Sequence, residues 1–153
     1  MKTKTTLLSL SLLLAASTLC FANAAIGTWK LNESKSKFAP GSPKNNTVTY
    51  TAAGAKIKVT VDGVNNAGKT THNQWTGKFD GRSYPLVGDP SADSRTYKQV
   101  SPNKLEFSNN KSGKPVVTGT IVISPDGKSR TVTTTAMDAS GRKVKDIAVY
   151  DKK

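Results

Sequence analysis

From residue 26 onward, apolar and polar side chains alternate at period two, and no window sustains the 3.6-residue period of an amphipathic helix. Ile26 to Leu31 reads as a first strand. Val48 and Tyr50 alternate with Thr47, Thr49 and Thr51, and Ile57, Val59 and Val61 with Lys56, Lys58 and Thr60. Trp75, Gly77 and Phe79 alternate with Gln74, Thr76 and Lys78. Further runs cover Leu105 to Phe107, Pro115 to Ser124, Thr131 to Ala136 and Asp146 to Tyr150. Threonine recurs on the polar side of these runs, as on the wet face of half-buried strands.

Turn chemistry punctuates the runs at short intervals: Ala53-Gly54, Asp62-Gly63, Asp80-Gly81, Asn109 to Gly113, Pro125-Asp126-Gly127 and Asp138 to Gly141. Asp-Gly between alternating runs is a strong hairpin signal. The pattern predicts an all-β chain of eight or nine strands joined by hairpins. With one apolar face per strand and no long crossover, it favours a single antiparallel up-and-down β-barrel, lipocalin-like, which removes sheet edges altogether. A β-sandwich is the competing arrangement. Two segments break the pattern. Asn32 to Asn46 carries Pro40, Gly41 and Pro43, with room for one helical turn around Ser34 to Lys37. Tyr84 to Arg95 contains Pro85, Gly88 and Pro90 and reads as a loop or a broken edge.

The first 24 residues follow a different logic. Lys2 and Lys4 precede an apolar run from Leu7 to Leu19, and Ala22-Asn23-Ala24 places small residues at −3 and −1. This is the three-part pattern of a secretory signal, with cleavage expected between Ala24 and Ala25. The run of about 13 residues is short of the roughly 20 that span a bilayer. The expected organisation is a signal peptide over 1–24 and one barrel domain over 25–153, exported to a periplasmic or extracellular space, with no transmembrane segment left after cleavage. Cys20 follows Leu19 with Ser17 upstream, which departs from the lipoprotein pattern and argues against lipidation.

Composition sharpens what the chain does. Its 153 residues carry 23 Lys plus Arg against 10 Asp plus Glu, a formal net charge of +13. Residues 1–24 hold two of those lysines and no acid, so the remaining chain carries +11. Such a charge attracts anionic polymers, although the basic residues are dispersed and no nucleic-acid motif is present. One Cys and one His exclude disulfide scaffolds and Cys/His metal clusters. The reading assigns no metal and no cofactor.

The ends of the chain bear a resemblance. Gly27-Thr28-Trp29-Lys30-Leu31 is similar to the Gly-x-Trp first strand of the calycins, the lipocalins and fatty-acid-binding proteins. Ala148-Val149-Tyr150-Asp151-Lys152 resembles the closing strand of the latter. Across nearly its whole length after residue 24 the chain also resembles a group of small exported bacterial proteins without an assigned activity. The pieces are Gly27 to Phe38, Pro40-Gly41, Val59 to Gly63, Phe79 to Gly81, Tyr84-Pro85, Gly88 to Pro90 and Ser124 to Lys128. The calycin resemblance implies a ligand-holding barrel. In it, interior Arg and Tyr residues grip a carboxylate, although no local motif marks Arg82, Arg95 or Arg130 for that part. Asn32 to Asn46 is too short and Pro-rich for the helical pair found in fatty-acid-binding proteins.

Several side chains are candidates for function. Trp29 suits a structural plug at the closed end of the barrel. Trp75 and Phe79 share a strand face across Gly77, a position that leaves room for a ligand or a bend. With Tyr84, Tyr97 and Phe107 they form the expected ligand-binding set, and Tyr50 and Tyr150 are further aromatic candidates. His72 has no acid near it in sequence and reads as exposed and inert. Asp62, Asp80, Asp126 and Asp138 sit at turns, where Asp serves the backbone. Asp89, Asp93 and Glu106 do not make a recognisable acid pair or calcium loop. The expected function is therefore non-catalytic: an exported barrel holding a small apolar or amphipathic ligand. The alternative is a basic surface protein that binds anionic envelope polymers.

Overall fold

A computed structural model describes residues 21–153. The basic start, the apolar run 7–19 and Cys20 lie outside the described residues. Ten strands follow in order: β1 (Gly27–Leu31), β2 (Lys44–Ala53), β3 (Lys56–Val64), β4 (Thr70–Gly77), β5 (Asp80–Val87), β6 (Ser94–Ser101), β7 (Lys104–Lys111), β8 (Lys114–Ile123), β9 (Ser129–Met137) and β10 (Lys143–Lys152). Each pairs antiparallel with the next, and β1 pairs with both β2 and β10, so the sheet closes into a barrel. Closure decides against the sandwich.

The strand count corrects the expected eight or nine. The stretch read as a loop, Tyr84 to Arg95, contains the end of β5, the start of β6 and only a short connection between them. Strand β6 is hard to recognise because Arg95, Tyr97 and Gln99 occupy its inward positions, so it lacks an apolar stripe. Strand β5 tolerates Pro85 because it is barely paired on one side: only Gln74↔Val87 and Trp75↔Leu86 join it to β4.

Register converts alternation into a core. Val48 faces Val61 and Tyr50 faces Val59 across β2 and β3, and all four side chains are buried. Trp29, Trp75, Leu105, Ile121, Ile123, Ala148 and Tyr150 complete the interior, while Thr49 and Thr60 pair on the outer side. A buried side chain of this size contributes roughly 1.5–3 kcal/mol from apolar area alone. The polar segment after β1 forms a single 3-10 turn (Glu33–Lys35), capped by the Asn32 side chain, which accepts from the Lys35 amide at 3.3 Å. It is sewn to β10: the Val149 amide donates to Ser36 Oγ, and Asp146 accepts from the Ala39 amide and the Ser42 hydroxyl. That stitching takes the place of a helical pair.

Glycine at position 27 has a backbone reason. Its φ of +123° is unfavourable for other residues, and a Cβ there would sit 2.9 Å from Lys152 Cε. The Lys152 side chain thus crosses close over the start of β1. No described helix is long and apolar enough to cross a membrane.

Candidate functional site

The five aromatic residues expected to line a ligand site come together. Trp75 lies nearly parallel to Phe79, with ring centroids 6.3 Å apart. It meets Tyr84 and Tyr97 edge-on at 5.7 and 4.8 Å. Phe79 meets Tyr97 at 5.6 Å, and Tyr97 meets Phe107 at 5.9 Å. Gly77 is what lets them close up. A Cβ there would lie 2.5 Å from Trp75 and 2.6 Å from the Tyr84 ring, so the space it leaves is filled by those rings. The Trp75 indole N–H donates to the Arg95 carbonyl at 2.9 Å and fixes the cluster to β6. Trp75, Phe79 and Tyr97 are buried, Tyr84 and Phe107 half-buried.

Two cations share this interior. Arg95 is buried; its Nε donates to Asn109 Oδ1 at 2.6 Å and its Nη1 to the Tyr97 hydroxyl at 3.4 Å. Arg130, 3% exposed, is boxed by rings: its guanidinium carbon lies 5.0 Å from Trp29, 5.0 Å from Tyr50 and 4.8 Å from Tyr150. Its Nε has no hydrogen-bond partner among the described residues. Neither guanidinium has a carboxylate within ion-pair distance among those residues. Burying an ion costs several kcal/mol after relaxation, and desolvated cation–π contacts return about 2 kcal/mol each. The rings make the charge tolerable without neutralising it. Burial pushes the Tyr97 phenol far up, with the neighbouring Tyr50 adding to the effect and both arginines opposing it. Burial likewise pushes Tyr150 up to about 12, against the pull of Arg130. Both phenols are neutral at physiological pH and do not answer the cations.

Trp29 is fully buried at the end of the barrel where residues 21–25 form a helical turn. Its indole N–H donates to the Ala25 carbonyl at 2.8 Å, and Lys152 Nζ, 5.2 Å from the ring, donates to the Ala24 carbonyl at 2.9 Å. The expected cleavage point between Ala24 and Ala25 therefore lies within this contact.

The remaining candidates are dispersed. His72 is exposed and has an acid partner that is distant in sequence. The β3–β4 register sets Asp62 opposite it, with Nδ1 2.7 Å from Asp62 Oδ1 and Nε2 3.0 Å from Gln74. The pair is exposed, and among the described residues no hydroxyl or thiol is bonded to it as a nucleophile would be. Asp89 accepts from Ser91, and Asp93 accepts from the Ser112 amide, which holds its carboxyl below the usual range. No three His, Cys, Asp or Glu side chains among the described residues converge as a metal site requires. Glu106 lies on the outer wall of β6 to β10, in an open groove of about 590 Å³ with Lys98, Lys145 and Thr118, Thr120, Thr133 and Thr135.

The sequence names Arg95 and Arg130 without marking either as interior, and it gives no sign that Phe21 is. Arg130 follows Ser129 at a strand start with no local motif around it; its register opposite the buried Tyr150 is what places it inside. Phe21 reads as the tail of an export signal, yet its ring is buried against Phe79, edge-on at 5.7 Å.

No protein-family model matches the chain, and no curated protein matches it. Among solved structures, it is similar in fold to one described as EF1p2_mFAP2b bound to DFHBI. The likeness has a TM-score of 0.53 at 8% identity and covers 89% of this chain and 99% of that one. At that identity the likeness establishes the closed antiparallel barrel and nothing finer.

Proposed function

We propose that the chain is a non-catalytic, exported binding barrel that holds a small amphipathic molecule, its apolar part among the aromatic rings and an anionic group toward Arg130. The observation that carries this reading is the buried guanidinium of Arg130, contacted by three rings and, among the described residues, by no carboxylate. A buried charge without an opposite charge is a standing cost, and an anionic ligand removes it. The aromatic cluster of Trp75, Phe79, Tyr84, Tyr97 and Phe107 supplies the apolar wall. The thinly paired seam between β4 and β5 offers a route to it, since Trp75 and Leu86 are themselves one of the two pairs holding the seam. A barrel of similar fold described as bound to DFHBI supports the idea that this architecture accommodates a guest.

Arg130→Met tests the reading. The substitution removes the burial cost together with the cation–π contacts, so stability should change by only about 1 kcal/mol. Affinity of the exported protein for the aromatic sulfonate 1-anilinonaphthalene-8-sulfonate (ANS) should fall at least about tenfold. Unchanged ANS affinity in a folded variant would reject Arg130 as the anion's partner.

A second reading rests on the outer groove. Among the described residues no hydrogen bond engages the hydroxyls of Thr118, Thr120, Thr133 and Thr135, and Lys98 and Lys145 lie beside them, outnumbering the single acid of the groove, Glu106. This suits an anionic polymer, whose binding must weaken as salt shortens the Debye length to about 8 Å at physiological strength. Retention on dextran sulfate that is lost with added salt, and lost in a Lys98→Gln/Lys145→Gln variant, is the expected result. Retention indifferent to both would exclude the groove.

A further inference from the structure

We infer that the seat of Phe21 is a binding pocket for an aromatic or alkyl group, vacated when residues 1–24 are removed. The inference rests on the ligand-binding reading above and on the cleavage expected after Ala24. Phe21 is 1% exposed and packs edge-on against Phe79, which in turn meets Trp75 and Tyr97. No strand supplies this ring. It comes from the turn ahead of β1, on the far side of the Ala24–Ala25 bond from the barrel. The rest of the aromatic cluster is built from β4 to β7 and the β4–β5 connection, all of which stays in place after cleavage. The ring of Phe21 is thus a stand-in that displays the shape and chemistry its seat accepts. A packed interior in the full chain and a guest in the exported one are then the same site in two states.

The rim of the seat sets the other end of the guest. Lys152 Nζ donates to the Ala24 carbonyl, which lies on the departing side of the bond. Cleavage removes that acceptor and leaves a new α-ammonium on Ala25, whose carbonyl still holds the Trp29 indole. Two cations, neither with an acid partner among the described residues, then lie at the turn that carried Phe21, Lys152 still over the Trp29 ring. That favours a guest with an aromatic or alkyl body and a carboxylate, sulfonate or phosphate head.

The test compares four proteins for ANS binding. These are the full chain retaining residues 1–24, the full chain with Phe21→Ala, the exported chain, and the exported chain with Phe79→Trp, which enlarges the ring bordering the seat. Intact mass defines the start of the exported chain, and circular dichroism confirms folding. The expected result is an exported chain beginning at Ala25 that binds ANS at least about tenfold more tightly than the full chain. Phe21→Ala restores much of that binding to the full chain, and Phe79→Trp abolishes it in the exported one. An exported chain that still carries Phe21 overturns the inference. So does equal binding by folded full and exported chains, which leaves the barrel reading intact with its site elsewhere. Absence of binding in all folded forms overturns both.

Discussion

Among the described residues Arg130 meets three π faces and no carboxylate, and the proposed function turns on that single side chain. The phenols around it give a second handle. Tyr150 has its pKa raised by burial from 10.0 to about 12, and Tyr97 is raised further. A group whose folded pKa lies above its unfolded value contributes stability that is complete below the unfolded value and is lost as pH rises through the folded one. The barrel should therefore be insensitive to these tyrosines below pH 10.0 and lose stability between there and about 12. Absorbance titration at the phenolate band should show Tyr84, which is half-buried, ionising reversibly while Tyr97 and Tyr150 ionise only with loss of the fold. Reversible titration of Tyr97 and Tyr150 in the native barrel would contradict their placement.

Strands differ sharply in how firmly they are held. Strands β2 and β3 pair along their whole length from Lys44↔Val64 to Ala53↔Lys56, whereas β4 and β5 meet at two positions. Local opening is easiest where backbone bonding is sparse. Hydrogen exchange of β5 amides on the β4 side should run at least about tenfold faster than that of central β2 and β3 amides. ANS should slow it if the seam is the route in. Uniform protection around the barrel would close that route. The same contrast explains what was legible beforehand. Val48, Tyr50, Val59 and Val61 announce β2 and β3 because every inward residue is apolar. Strand β6 stayed hidden because Arg95 and Gln99 point where an apolar side chain is expected. Trp75 and Phe79 could be chosen from residue type and strand face, but Tyr84, Tyr97 and Phe107 from residue type alone, because register decides which way each of them faces. The Asp62–His72 pair and the Arg130 box could not, since both exist only through cross-strand register.

At the scale of the whole molecule, a closed barrel has two surfaces with different chemistry. The outside is rich in threonine and lysine and carries most of the +11 net charge of residues 25–153, a surface that repels its own copies. The inside holds rings and two guanidiniums without an acid among the described residues. On the proposed function the site is inside and the ring of Phe21 is an occupant rather than a wall. Native mass spectrometry of the exported protein, purified gently from the compartment that receives it, tests this most directly. The account predicts a chain beginning at Ala25 that carries an extra small-molecule mass, released on denaturation and missing from Arg130→Met. A bare mass in every preparation, identical for both proteins, would contradict it.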